Sequence, residues 1–268
     1  MTAMGEARAI LRLFGAQLRL ATLAALQYRV GFWSEGVLSV LWSALGVVPL
    51  LVAAQHRPAV AGWGPWELMV LTGVFMAISG IFGALVQPAL VTSMEHVRKG
   101  TLDHLLLRPV DALALCLSSS FSPWRLVEVV TGAILCAVSL RALGVAPSLV
   151  DLGAAAVVMV AGVGALYGLA ILALCATFRA VQLQNLTHLF EALLDFARWP
   201  ASVFGGPLRA IFTFVVPFAV MTTFPAEALL GRPSAGALGV ALGVAAALLG
   251  VARFAWRVSL RTYASASS

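Results

Sequence analysis

Apolar residues run almost without a break over 33–54, 66–91, 124–143, 152–178 and 235–256, and nearly every arginine lies in the shorter segments between them. At about 1.5 Å rise per residue, each run is long enough to cross a hydrocarbon core of roughly 30 Å. Backbone groups in lipid must bond within their own segment, so runs of this length predict helices and not the alternating strands of an outer-membrane barrel. The expected fold is all-α: a polytopic membrane protein of six transmembrane helices forming one domain over 1–268. An interfacial helix over 6–29, a polar loop over 93–111 and a re-entrant helical hairpin over 200–232 complete it.

The interfacial helix follows from pattern. Arg8, Arg12 and Arg19 fall in a narrow sector of a 3.6-residue helix, and Ile10, Leu11, Leu13, Phe14, Leu18 and Leu20 cover much of the rest. Such a helix lies along the membrane surface before turning into the first span near Phe32 and Trp33. No short apolar core with a small-residue cleavage site marks this segment as a cleaved signal peptide. A plain anchoring helix without a partner contact accounts for it equally well.

Composition narrows the class. Hydrophobic residues make up 61% of the 268 residues and charged ones 10%, too little polar surface to solvate a soluble domain of this size. The net charge of +6 is spread between the spans, which fits the positive-inside rule and not nucleic-acid binding. With six spans and the N-terminus in the cytoplasm, Arg8, Arg12, Arg19, Arg29, Arg98, Lys99, Arg108, Arg179, Arg253, Arg257 and Arg261 fall inside. Arg57, Arg141, Arg198, Arg209 and Arg232 fall outside, Arg125 lies at a boundary, and both termini are cytoplasmic.

Several chemistries lack their residues. The single lysine, Lys99, stands before Gly100 and Thr101 with no glycine-rich loop preceding it, so there is no P-loop. His56, His96, His104 and His188 form no HExxH pair, and Ser118, Ser119 and Ser120 have no glycine-framed nucleophile pattern; that run reads as a turn or helix cap. Cys116, Cys136 and Cys175 are odd in number, without metal-ligand spacing and set in apolar surroundings, as packing residues are. Arg125 and Glu128, at i, i+3 after Pro123 and Trp124, read as a structural pair at the membrane boundary. Gly164/Gly168 and Gly239/Gly243 permit close helix approach.

The most distinctive polar stretch runs from Met94 to Asp111 and includes Arg98-Lys99-Gly100-Thr101-Leu102-Asp103 and Leu105-Leu106-Leu107-Arg108-Pro109. Arg98 and Lys99 suit the last turn of a helix, Gly100 its left-handed stop, and Thr101 or Asp103 the start of a second short helix that Pro109 ends. That helix would turn its leucines to the membrane and its charges to a partner. The stretch resembles the ABC-2-type permeases, the six-span membrane subunits of ABC exporters. The likeness continues in Val216-Pro217-Phe218, Phe224-Pro225-Ala226, Leu229-Leu230-Gly231 and the closing Leu260-Arg261-Thr262-Tyr263, over nearly the whole chain. The resemblance implies that the 93–111 loop is a coupling helix contacting a separate ATPase, with Arg98, Lys99, Asp103 and Arg108 at or near that contact. It also implies ATP and Mg on that partner, none on this chain, and a second permease subunit that is a copy or a distinct homologue.

Gln184, His188, Glu191, Asp195 and Arg198 fall within about 80° on one face of a helix over 180–199. Such a stripe is costly against lipid and belongs in a path or groove if the helix spans, or in water if it lies at the interface. Pro200, Gly205, Gly206, Pro207, Pro217 and Pro225 then break the next apolar stretch into pieces too short to cross, which fits a hairpin dipping from the outer side. The alternative makes 208–230 the fifth span and moves Arg198 and Arg209 inside, turning a charge count of 11 against 5 into 13 against 3. The expected function is the permease subunit of an ATP-driven exporter for an amphipathic substrate in the cytoplasmic (inner) membrane, among lipid. The rivals are an ion- or proton-coupled carrier using His188, Glu191 and Asp195, and a non-transporting scaffold.

Overall fold

In a computed structural model of the chain, residues 15–16, 18–20, 22–23, 29–56, 59–107, 111–117, 120–178 and 194–262 are described. Helices α1 (Arg29–His56) and α2 (Pro65–Lys99) lead to the short α3 (Asp103–Leu106) and α4 (Ala112–Leu117). They are followed by α5 (Leu126–Ala142), α6 (Leu149–Thr177), the bent pair α7 (Gly206–Val215) and α8 (Ala219–Leu229), and α9 (Ala235–Thr262). Among the described residues the one isolated β-bridge is Val60–Trp63, and four helices are long and apolar enough to cross a membrane, or five if the bent pair is one span. The 6–29 helix falls largely outside the described residues, apart from fragments such as the turn in which Thr22 Oγ1 donates to Leu18 O over 2.7 Å.

The α2 rod is the axis of the molecule. Pro65 opens it, where its missing N–H would be unpaired anyway, and the Glu67 carboxylate accepts the Gly64 N–H over 2.9 Å. Leu68 to Ile78 are buried without interruption. Pro88 breaks the ladder further along, and the rod absorbs it with a π-helical turn at Phe82–Val86. Proline withholds the N–H that would reach the Ala84 carbonyl, and the Ser122 N–H, arriving from the loop before α5, takes that carbonyl at 2.9 Å.

The α5 helix lies antiparallel against the rod at backbone distance. A Cβ on Gly73 would stand 2.7 Å from the Gly132 carbonyl oxygen, and one on Gly132 would stand 2.4 Å from that of Gly73. A left-handed turn at Gly144 and a capping box between Ser148 and Asp151 reverse the chain into α6. The α6 and α9 helices run parallel: Val158 and Ala161 pack with Ala241 and Val244, Gly168 abuts Leu248, and Phe178 meets Trp256 edge-on at 5.7 Å.

The hairpin's two limbs are bent by 72°, and both ends of the segment reach the Pro65 end of the rod. There Ser202 Oγ donates to Ala61 O and Arg232 Nη2 donates to Glu67 Oε1 over 2.7 Å. Deeper in, Met221 closes on Gly162, about 20 Å from the Leu149 end of α6 at 1.5 Å per residue. Of the two glycine pairs singled out in the sequence, Gly164/Gly168 faces α9, whereas Gly239 and Gly243 meet nothing among the described residues where a Cβ would stand. Spacing alone does not say which side of a helix is covered.

Gly132→Ala is expected to lower thermal stability in detergent, by about 1–3 kcal/mol, because the new methyl meets fixed backbone and not a movable side chain. Gly239→Ala, made where nothing approaches, is expected to leave the melting temperature unchanged or slightly raised.

Candidate functional site

Two polar assemblies stand out in the apolar bundle. The first is the elbow beyond the rod. Gly100 adopts φ 66° and ψ 19°, so the Gly100 N–H reaches Val97 O and the Thr101 N–H reaches His96 O, closing the helix with a Schellman pattern. Arg98 and Lys99 occupy the last turn, their side chains about half exposed, both directed to Glu95 Oε1 at 3.8 and 2.6 Å. At that exposure the pairing contributes little to stability and leaves both cations open to a partner.

The α3 helix begins at Asp103, one of the two starts expected. Leu102, and neither Thr101 nor Asp103, stands at the cap position; the Thr101 hydroxyl is held by His96 Nδ1 at 2.9 Å, and Asp103 is the first helical residue. Completely buried Leu102 anchors the short helix, while Leu107 is 84% exposed. The leucines therefore do not form one covered face. Arg108 lies outside the described residues.

The return leg is tied down by a residue to which the sequence reading gave no role. Asp111 Oδ1 accepts the N–H groups of Leu113 and Ala114 at 2.9 and 3.2 Å, capping α4. The same carboxylate receives both terminal nitrogens of Arg253 on α9, one of them at 3.0 Å. The Arg253 guanidinium holds the Asp111 carboxyl below its ordinary range against the opposing effect of burial, with the Ala114 N–H assisting. No local signal in the sequence links positions so far apart. On the same α4 helix, Ser93 Oγ donates to Cys116 O over 2.9 Å, and burial pushes the Cys116 thiol up to about 11, as befits a packing cysteine.

The second assembly is a cavity of about 190 Å³ between α1, the rod, α5 and the segment at 194–198. Its polar lining includes Thr72, Ser79, Gln87, Arg125, Glu128, Asp195 and Arg198, set among Trp42, Phe75 and Phe82. Arg198 Nη2 contacts Asp195 Oδ1 at 3.0 Å, and its guanidinium carbon lies 5.1 Å from the centre of the Phe75 ring. Arg198 Nε is buried and meets no partner among the described residues. On the facing wall, Glu128 Oε1 accepts from Arg125 Nη1 at 2.8 Å and from Ser39 Oγ at 2.7 Å.

The i, i+3 pairing expected of Arg125 and Glu128 is thus present, and the pair also lines the cavity. The Glu128 side chain is 12% exposed and closes the wall of an interior cavity. Of the striped residues, Asp195 and Arg198 come together there, whereas Gln184, His188 and Glu191 fall outside the described residues.

A membrane bundle with a long central rod, a glycine-terminated elbow at one end and a charged cavity at its flank thus stands on residues 29–262. A family model described as ABC-2 family transporter protein matches residues 40–267. The chain belongs to the ABC-2 transporter family. No curated protein and no solved structure matches it. As a member of that family it is a multi-pass membrane protein of the permease kind, and the matched region takes in the rod, the elbow and the cavity.

Two measurements test the geometry. Arg125→Leu leaves Glu128 without its countercharge and is expected to cost about 1–3 kcal/mol, while Arg125→Leu/Glu128→Leu recovers most of that loss in thermal unfolding. Because the folded Asp111 carboxyl is depressed, its contribution is present above the unfolded value of about 3.9 and is lost as pH falls through the folded value. Wild-type protein should therefore hold a constant stability advantage over Asp111→Asn from neutral pH down to about pH 5 and lose it in stronger acid.

Proposed function

We propose that this protein is the six-span permease subunit of an ATP-driven exporter in the cytoplasmic membrane, with both termini inside, moving an amphipathic substrate. ATP and Mg are bound by separate ATPase subunits docked under the 93–111 coupling loop. A second permease, identical or homologous, completes the path, and surface charge at 6–29 rests on the inner leaflet. The observation that carries this reading is the rod: one buried helix has Arg98, Lys99 and the Gly100 stop at its end and the cavity residues Thr72, Ser79 and Gln87 on its flank. A stiff element of that kind converts displacement of the elbow into displacement of the cavity wall.

Parallel α6 and α9 support the six-span count. Chain leaving α6 at Phe178 must return to the opposite end before α9 can run in the same direction. The ties of Ser202 and Arg232 to the 61–67 loop favour a return completed before 202, which leaves 200–232 as a re-entrant hairpin and the fifth crossing before it. The cost in charge count is softened because Arg198 is paired with Asp195 and Arg209 stands within electrostatic reach of Glu227. In the path, the carboxylate–guanidinium pairs meet the polar part of an amphipath and the aromatic residues its apolar part. Asp103 and Arg108 stand with Arg98 and Lys99 at the ATPase contact, and Gln184, His188 and Glu191 continue the path-lining face of Asp195 and Arg198.

Arg98→Glu/Lys99→Glu is expected to abolish co-purification with the ATPase while the permease still reaches the membrane and melts normally. Unchanged assembly would remove the elbow from the contact. Activity of the purified chain in vesicles under an ion gradient, without nucleotide, would instead favour the ion- or proton-coupled carrier with His188, Glu191 and Asp195 as coupling groups.

A further inference from the structure

The rod is not the sole mechanical connection of the elbow. Asp111 joins the return leg to Arg253, about 27 Å along α9 from Ala235 at 1.5 Å per residue, and Tyr167 of α6 lies within electrostatic reach of both. The α9 helix is in turn locked to α6, where Leu248 backbone stands 3.0 Å from a Cβ built on Gly168. Further along the same helix, Gly162 receives the Met221 backbone of the hairpin at the same separation. Each step is a backbone-distance contact or a two-nitrogen ion pair, so displacement passes along it without being absorbed by side-chain rotation.

We propose that the Asp111–Arg253 pair is a latch that couples the elbow to the outer hairpin through α9 and α6, separately from the rod. The elbow thereby has two outputs: the rod moves the cavity wall, and the latch moves the hairpin that bounds the cavity segment from the other end. This rests on the permease reading above. Asp111 and Arg253 are positioning residues, since neither lines the cavity.

Asparagine caps a helix about as well as aspartate, so Asp111→Asn keeps the α4 cap and removes the charge from the pair. The test uses the assembled permease–ATPase complex in lipid nanodiscs, carrying Thr213→Cys in the cleft that Thr213 shares with Arg209 and Glu227. The maleimide labelling rate is compared between nucleotide-free and ADP–vanadate-trapped complex. Trapping is expected to change the rate about fivefold or more in the otherwise native complex, the lower range of a typical coupling energy. In Asp111→Asn and in Arg253→Gln the change should vanish while assembly and ATP hydrolysis persist. Asp111→Arg/Arg253→Asp should restore part of it, which a purely structural role does not explain.

A full trapping response in both neutralised variants overturns the latch and leaves the permease reading standing. A native chain that captures no ATPase overturns both. If a neutralised variant fails to assemble, the charge-swapped complex decides: a restored response supports the latch, and an assembled complex without one overturns it.

Discussion

A backbone polar group at membrane depth has no water to fall back on, and this requirement governs where the chain can break its helices. Pro88 is the sharpest case. Its ring interrupts the central helix, and the carbonyl it strands at Ala84 is taken by Ser122, which fixes how the chain enters α5. The same requirement recurs where the segment after 194 meets the hairpin: Thr222 Oγ1 donates to Ala197 O at 2.9 Å, and Thr223 Oγ accepts the Ala201 N–H at 3.1 Å. At both of these places a hydroxyl or a neighbouring loop finishes the bonding.

The charged groups obey a stricter version of that rule. An isolated ion in a low-dielectric interior is far more costly than an unpaired amide, so buried Glu128 is met by an opposite charge three residues away and then by a contact from another element, as is the partly exposed Arg198. Ser39 does this for Glu128 and the Phe75 ring for Arg198. The cavity is therefore polar but balanced, able to receive a polar group without carrying a standing charge. Asp111 and Arg253 follow the same logic at the other end of the bundle, with the helix cap of α4 as the extra contact.

What the sequence made legible was whatever has local cause. The long spans, the Gly100 stop, the bend near Pro217 and the pairing of Asp195 with Arg198 all follow from residues within a few positions of one another. Contacts across the chain were not legible. Periodicity could not show that Glu128 would also meet Ser39, nor that Asp111 would find Arg253. It gave Gly239/Gly243 the same weight as Gly164/Gly168, although only the latter meets another helix. Helix-start preference left Thr101 and Asp103 as alternatives; the helix begins at Asp103, with the Thr101 hydroxyl engaged by His96 and Leu102 buried at the cap.

The 35-residue length of the rod has a consequence of its own. At 1.5 Å per residue it measures about 52 Å, roughly 20 Å more than the hydrocarbon thickness it crosses. A helix of that length cannot keep both ends within the hydrocarbon layer unless it is strongly tilted, so part of it is obliged to project beyond the lipid tails.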